Sequence, residues 1–371
     1  MTQALDLVPA DAERVLGEWL AARGEPRYRT GQLVPRLWQR PVRRWADATE
    51  LPKALREALD AEWPLGALTL DVRQESADGT VKYLWRLPDG QAVESVLIPE
   101  GTRRTLCISS QAGCPLRCAF CATGTMGLLR NLEAWEIAGQ VRELLLTPEP
   151  TPPTNVVFMG MGEPLLNWPA VSTALTLLND PAALGVGARH ITVSTVGILP
   201  GLAELAKRRE QFRLALSLHA PTSPTRRALM PIEKKYPLRD VMAALRAFPR
   251  RVTFEYVMIA EMNDRDEDLE ALAKLAKEAG AMVNLLPLHP GGGSALQPTA
   301  ASRMRAFRAD LQARGVEAVL RRSRGLDIDA ACGQLRIARG DRRPRGEVAA
   351  ETHGHVHEAR RVRQHARASH S

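Results

Sequence analysis

The sequence predicts an α/β protein built on an open, partial (βα)6 barrel, preceded by a helical module and a small β-meander. Three observations predict it. Short apolar runs alternate with longer amphipathic ones six times between residues 105 and 314, the pattern of a parallel sheet with right-handed crossovers. Six units are too few to close an eight-stranded barrel. The chemically unusual residues fall at the carboxyl ends of the apolar runs, where such folds carry their sites.

Taken in order, residues 1–64 read as helical, with helices over Ala10–Arg23, Thr30–Gln39 and Pro52–Glu62. Residues 65–100 read as a meander of strands Leu68–Gln74, Val81–Leu87 and Ala92–Ile98, separated by the turn signals Asp78-Gly79 and Asp89-Gly90. Residues 101–336 form the barrel region. Its strands are expected at Thr105–Ser109, Asn155–Met159, Ile191–Ser194, Phe212–Leu216, Val252–Met258 and Met282–Leu286. Helices are expected at Glu133–Leu146, Pro169–Asn179, Pro200–Arg209, Arg239–Phe248, Asp266–Ala279 and Ala300–Arg314, with a last strand-like run over Glu317–Arg322. Residues 337–371 hold little to bury and read as a disordered tail. That tail carries five of the eight histidines, including His353, His355 and His357.

The 371 residues carry 50 Lys+Arg against 42 Asp+Glu, and a hydrophobic share of 45% excludes wholesale disorder. No signal peptide or membrane-length apolar run is evident, so a cytoplasmic, membrane-free setting is expected. The positive charge is uneven. Between Arg23 and Arg44 lie seven arginines and one acid, with Tyr28, Trp38 and Trp45 interleaved. Arginine forks suit phosphate and exposed aromatics stack on bases, so this stretch reads as an RNA grip or, equally, as a solvated helical face over a small aromatic core.

Five cysteines are an odd number for a disulfide framework. Cys114, Cys118 and Cys121 have C-x3-C-x2-C spacing on the loop after the first barrel strand. Three thiolates on one tight loop can hold three corners of a [4Fe–4S] cluster and leave one iron open. Structural zinc is the alternative, but it needs a fourth ligand. Gly162 and Glu163 follow the second strand, Ser194 ends the third, Ser217-Leu218-His219 end the fourth and Asn284 lies on the sixth.

The segment Leu106–Cys114, the cysteine loop, Arg130-Asn131-Leu132, Phe158–Asn167, Ser217–Ala220 and Arg324–Leu335 together resemble, in order, the RlmN/Cfr family of radical-SAM RNA methyltransferases. The resemblance covers about residues 10 to 336 and implies a radical-SAM barrel. It implies that Cys114, Cys118 and Cys121 hold the cluster, and that Gly162, Glu163, Ser194, Ser217, Leu218, His219 and Asn284 contact S-adenosylmethionine (SAM). Carbon-2 of adenine has no lone pair, so a direct SN2 transfer from a sulfonium cannot reach it. The implied route uses two SAM molecules per turnover. One methylates Cys332, and the other yields the radical that activates that S-methyl group for addition to the ring. Cys107 then resolves the covalent adduct through a transient disulfide with Cys332, and Glu94 accepts the ring proton.

The resemblance further implies 23S rRNA and tRNA as substrates, a flavodoxin-type electron donor and a monomer. Leu128, and Leu288-His289-Pro290 where the family often has Trp-Asn-Pro, depart from its pattern. A Cfr-like enzyme acting at carbon-8 is the alternative within the family. A zinc-stabilised RNA-binding protein without catalysis is the alternative of another class.

Overall fold

Apolar side chains at helical spacing fold the amino-terminal segment around its own small core. In the computed structural model, which describes residues 3–289, 295–331 and 333–335, these helices are α1 (Pro9–Ala21), α2 (Tyr28–Leu33) and α3 (Lys53–Glu62). Ala12, Leu16 and Leu20 line the buried stripe of α1, and Leu55 and Leu59 that of α3. The helix expected over Thr30–Gln39 stops early. Pro35 lacks the N–H that would continue it, and a 3-10 turn over Val34–Arg36 takes over.

Of the two readings of the aromatic-basic stretch, the structure shows the small aromatic core. Trp38 and Trp45 are buried and unavailable for stacking on bases, and only Tyr28 of the three stands exposed. Five of the seven arginines face carboxylates: Arg29 pairs with Glu25 at 3.3 Å, Arg36 with Glu50 at 2.5 Å, Arg43 with Glu143 at 2.9 Å and Arg44 with Asp47 at 3.0 Å, while Arg23 pairs with Glu62. Among the described residues, Arg27 and Arg40 have no such carboxylate partner.

The meander consists of β1 (Thr69–Glu75), β2 (Val81–Arg86) and β3 (Ala92–Glu100). Its turns place Gly79 at φ +81° and Gly90 at φ +83°, which only glycine adopts freely. The meander is continuous with the barrel sheet, because β3 pairs antiparallel with β4 (Arg103–Cys107). A two-stranded side sheet, β5 (Gln111–Cys114) with β6 (Gly127–Asn131), then brackets the cysteine loop and the short α4 (Ala122–Met126).

The repeating units follow: α5 (Ala134–Leu145), β7 (Asn155–Phe158), α6 (Trp168–Asn179), β8 (Ile191–Thr195), α7 (Leu199–Lys207), β9 (Arg213–Ser217), α8 (Ser223–Leu229), α9 (Leu238–Arg246), β10 (Val252–Met258), α10 (Asp266–Ala279), β11 (Met282–Pro287), α11 (Ala301–Ala313) and β12 (Ala318–Leu320). Among the described residues the main sheet has ten strands in the order β1-β2-β3-β4-β7-β8-β9-β10-β11-β12. From β4 onward all neighbours are parallel, and the sheet does not close. No helix among the described residues is long and apolar enough to cross a membrane.

Register sorts the side chains by chemistry. Leu106, Val156, Val193, Leu214, Phe254 and Val283 follow one another across the sheet on one face, and all are buried. The opposite face carries Cys107, Val157 and Thr192, then Ser194, Ser217, Glu255 and Asn284. Because Val96 faces Cys107 across β3 and β4, that same face also takes Glu94, two residues away, and Lys82 opposite Val96 on β2.

A buried guanidinium ties the helical module to the barrel. Arg142 on α5 donates from Nε to the Leu37 carbonyl at 2.7 Å and from Nη2 to the Val42 carbonyl at 2.6 Å. Its neighbour Glu143 receives Arg43. Burial pulls the Arg142 pKa down to about 10 and pushes the Glu143 carboxyl up, so desolvation outweighs attraction at both groups. The bonds to two carbonyls hold the charge in place. Arg142→Ala is expected to cost about 3 kcal/mol, as for breaking a buried ionic contact on one side. Thermal unfolding measures that loss, and limited proteolysis should then cut first within residues 22–50.

Candidate active site

The cysteine loop leaves β5 and is tied down along its length. Gly113, at φ +79°, lies so close to the Gly127 carbonyl that a Cβ would collide with it. The Ala119 N–H donates to the Leu229 carbonyl at 2.9 Å, fixing the loop against the end of α8. The Ala122 N–H donates to the Gly333 carbonyl at 2.7 Å, and Thr123 Oγ1 donates to the Leu335 carbonyl at 2.6 Å. Residues 333–335 therefore lie across the loop.

Cys114, Cys118 and Cys121 all line one cavity of about 150 Å3. Gly162, Glu163, Ser194, Ser217 and His219 line it with them, as the sequence leads one to expect. A larger hollow of about 710 Å3 lies between α1 and α2, but it holds none of the expected site residues.

Gly162 has φ +100°, and a Cβ there would sit 2.6 Å from the Gln111 Cβ, so any side chain would push the second strand's loop away from β5. Glu163 is buried and its oxygens are engaged by backbone: Oε1 accepts from Leu165 N at 3.1 Å and Oε2 from Val196 N at 3.0 Å. Burial pushes its pKa up to about 7 despite these bonds. The carboxyl thus staples the ends of β7 and β8 together at the cavity wall.

Ser194 and Ser217 hydroxyls meet at 3.3 Å. His219 has φ +52°, an uncommon conformation for a non-glycine residue, and its ring meets the Phe120 ring edge-on at 4.6 Å. Its Nδ1 accepts from the Val257 N–H at 3.1 Å, so the neutral ring carries its proton on Nε2. Burial, with Arg226 nearby, holds the His219 pKa down at about 3. This histidine fixes the aromatic residue that precedes Cys121.

Two expected cofactor contacts stand behind the wall. Leu218 is fully buried and does not line the cavity. Asn284 gives its amide to Glu255 Oε1 at 2.9 Å, and Glu255 takes the place at the surface. Glu255 and His289 are the titratable lining residues that sequence reasoning did not assign. A carboxylate inside the apolar run Val252–Met258 was the signal for Glu255. His289, whose Nε2 lies 2.5 Å from Ser323 Oγ, was visible as a departure from the family pattern.

Glu94 and Cys107 are buried on the sheet face that carries Ser194 and Ser217, outside the cavity wall itself. Glu94 pairs with Lys82 Nζ at 3.5 Å, and Lys82 also donates to the Asp329 carbonyl at 3.4 Å. Asp327 accepts from Ser76 Oγ at 2.6 Å, and Asp78 accepts from the Gly325 N–H at 3.0 Å. The β1–β2 turn thus holds the segment that precedes Cys332. Cys332 itself lies outside the described residues.

The donor set fits an iron–sulfur cluster. Burial pushes the Cys114 thiol up to about 12 and Cys118 well above its ordinary value, so neither is a free thiolate without a positive partner. Among the described residues, no three His, Cys, Asp or Glu side chains converge as a single metal ion requires. A cubane takes its three thiolates on three separate irons and needs no such convergence.

The Radical SAM superfamily profile matches residues 108–276. The chain is 60% identical over 356 residues to a probable dual-specificity RNA methyltransferase RlmN of Gemmatimonas aurantiaca, covering 96% of this chain and 98% of that one. It is 44% identical to the dual-specificity RNA methyltransferase RlmN of Anaeromyxobacter dehalogenans, over 94% of this chain and 96% of that one. A crystal structure of a radical SAM methyltransferase from Sphaerobacter thermophilus superposes with a TM-score of 0.84 at 41% identity, covering 91% of this chain and 99% of that one. With three cysteines of one loop, a Gly-Glu wall and paired serines around one cavity, and this likeness along nearly its whole length, the chain belongs to the RlmN family of radical-SAM RNA methyltransferases.

Proposed function

We propose that this enzyme methylates carbon-2 of an adenosine in the peptidyl-transferase region of 23S rRNA and of the adenosine beside the anticodon of tRNA. The observation that carries the reading is the meeting of the three loop cysteines with Gly162, Glu163, Ser194 and Ser217 around one cavity. A cytoplasmic monomer drawing electrons from a flavodoxin-type donor completes the reading.

Cys114, Cys118 and Cys121 would hold a [4Fe–4S] cluster. Bound beside it, SAM supplies both a methyl group and, with one electron, the power to remove a hydrogen atom from an unactivated methyl. Gly162, packed against Gln111 where no side chain fits, keeps the loop backbone at the cavity wall beside the donor. Ser194 and Ser217 offer it hydroxyls. Cys332 carries the methyl group to the adenine ring, so that two SAM molecules are consumed per product. Glu94 takes the ring proton at a carboxylate oxygen, with Lys82 as its counter-charge. Cys107 then releases the product: its thiolate bonds to the sulfur of Cys332 as the Cys332–carbon bond breaks. The carbon keeps the electron pair and takes a proton to become the methyl group. The disulfide left behind is reduced by thiol exchange before the next turnover. Placement of Glu94 and Cys107 on one sheet face supports these roles.

Three outcomes test this reading. Anaerobic reconstitution of the Cys114→Ala, Cys118→Ala and Cys121→Ala variants should give almost no bound iron. Cys107→Ala should bind iron like the parent and retain RNA covalently, seen as a shifted band in denaturing gels. A Cys107→Ala protein free of RNA would remove that residue from its role.

Nucleosides from RNA modified in a host lacking its own enzyme should contain 2-methyladenosine. Recovery of 8-methyladenosine instead would assign the Cfr-like activity.

Glu163 provides a pH test. Its folded pKa, about 7, lies above the ordinary 4.5, so the folded state binds the extra proton. Stability from this group is complete below 4.5 and is lost as pH rises through about 7. In the metal-free protein, the fall in unfolding midpoint between about pH 5 and about pH 8 should be smaller in Glu163→Gln than in the parent, whatever the variant's overall cost.

A further inference from the structure

The cavity wall holds two carboxyl groups and no fixed positive charge. Among the described residues that line it there is no lysine or arginine. Burial disfavours the charged form of both lining histidines, His219 and His289. Of its two carboxylates, Glu163 spends both oxygens on backbone N–H groups. Glu255 is different: it is buried at 7% exposure and faces the cavity, and the hydrogen bond that holds it comes from Asn284 to Oε1. The cation that acts on it, Arg321, stands on the exposed end of the chain after β12.

We propose that Glu255 is the counter-charge by which the cavity selects the sulfonium of the methyl donor over the neutral thioether left after transfer. This rests on the reading of the cavity as a SAM site. Burial pushes the Glu255 carboxyl above its ordinary value, with the Asn284 bond and the Arg321 charge only partly offsetting it. A ligand that brings a permanent positive charge into the cavity relieves that cost on binding. A thioether brings none. The same carboxylate therefore favours the charged donor on entry and the loss of the uncharged product on exit. Asn284 acts here as the residue that orients Glu255, which gives its side chain a role even though it does not reach the cavity. A hydroxyl-binding role for Glu255 would affect charged and neutral ligands alike, so the two are separable.

The test is equilibrium dialysis with the anaerobically reconstituted holoenzyme, without reductant, against three ligands. SAM carries the sulfonium, S-adenosylhomocysteine a neutral thioether, and sinefungin an ammonium-bearing carbon in place of the sulfur. The parent should bind SAM and sinefungin more tightly than S-adenosylhomocysteine. Glu255→Gln, which keeps the shape and the Asn284 bond, should weaken SAM and sinefungin about tenfold while changing S-adenosylhomocysteine less than about twofold. Glu255→Asp, which keeps the charge, should retain the parent's order of affinities.

Equal weakening of all three ligands in Glu255→Gln, or unchanged SAM affinity, would overturn the proposal. So would a parent enzyme that binds S-adenosylhomocysteine as tightly as SAM, a result that needs no variant to fold. A holoenzyme that binds none of the three would instead sink the methyl-donor reading itself, and this proposal with it.

Discussion

Two-residue alternation in an unbroken run of paired strands is the constraint on which the site depends. A slip of one residue at any pairing would send that strand's polar side chains to the opposite face. Here the register holds from β2 to β11, so Lys82, Glu94, Cys107, Ser194, Ser217, Glu255 and Asn284 share a face although they span some two hundred positions of sequence. The opposite face is mostly apolar, with Ser95 and Thr195 buried among hydrophobic side chains, and stabilises the sheet by burial. Chemistry and folding are divided between the two sides of the same strands.

The closing segment depends on that sheet at two points. Upstream of Cys332, Gly325 and Asp327 dock on the β1–β2 turn. Downstream, Gly333 and Leu335 accept hydrogen bonds from the cysteine loop. The antiparallel meander is thus more than a connector. Its turn holds the segment that precedes Cys332, and its third strand brings Glu94 into line with Cys107.

Long periodic elements were legible in the sequence because burial on one face writes a regular pattern. The six βα units and the final strand lie within a few residues of where that pattern puts them. The β5–β6 hairpin was not legible. Its strands have four and five residues, too few for alternation to register, and glycines and cysteines occupy much of them. Charge counting could not choose between the two readings of the helical module, since Glu25, Glu50, Glu62 and Glu143 are brought to its arginines by the fold, two of them from distant positions. The three loop cysteines, Gly162 and Glu163 stood out by their spacing and company, and they line one cavity. Asn284 and Glu255 could not be ranked, because which member of a bonded pair faces the cavity is settled by side-chain packing.

Helix α5 joins two parts of the enzyme that work on different scales. Its amino-terminal end follows β6 and is fixed there by Arg130, which grips Glu136 in a two-pronged bond of 2.7 and 2.8 Å. Its far end carries Arg142, clamped to the carbonyls of the helical module. Twelve residues separate the hairpin beside the cysteine loop from the module by about 18 Å of rigid rod. Substitutions on the rod preserve this span, whereas inserting one residue would lengthen it by about 1.5 Å and turn the clamp about 100° around the axis. Length and helical phase, more than composition, are therefore what this helix has to conserve, as a gauge between the helical module and the hairpin beside the cysteine loop.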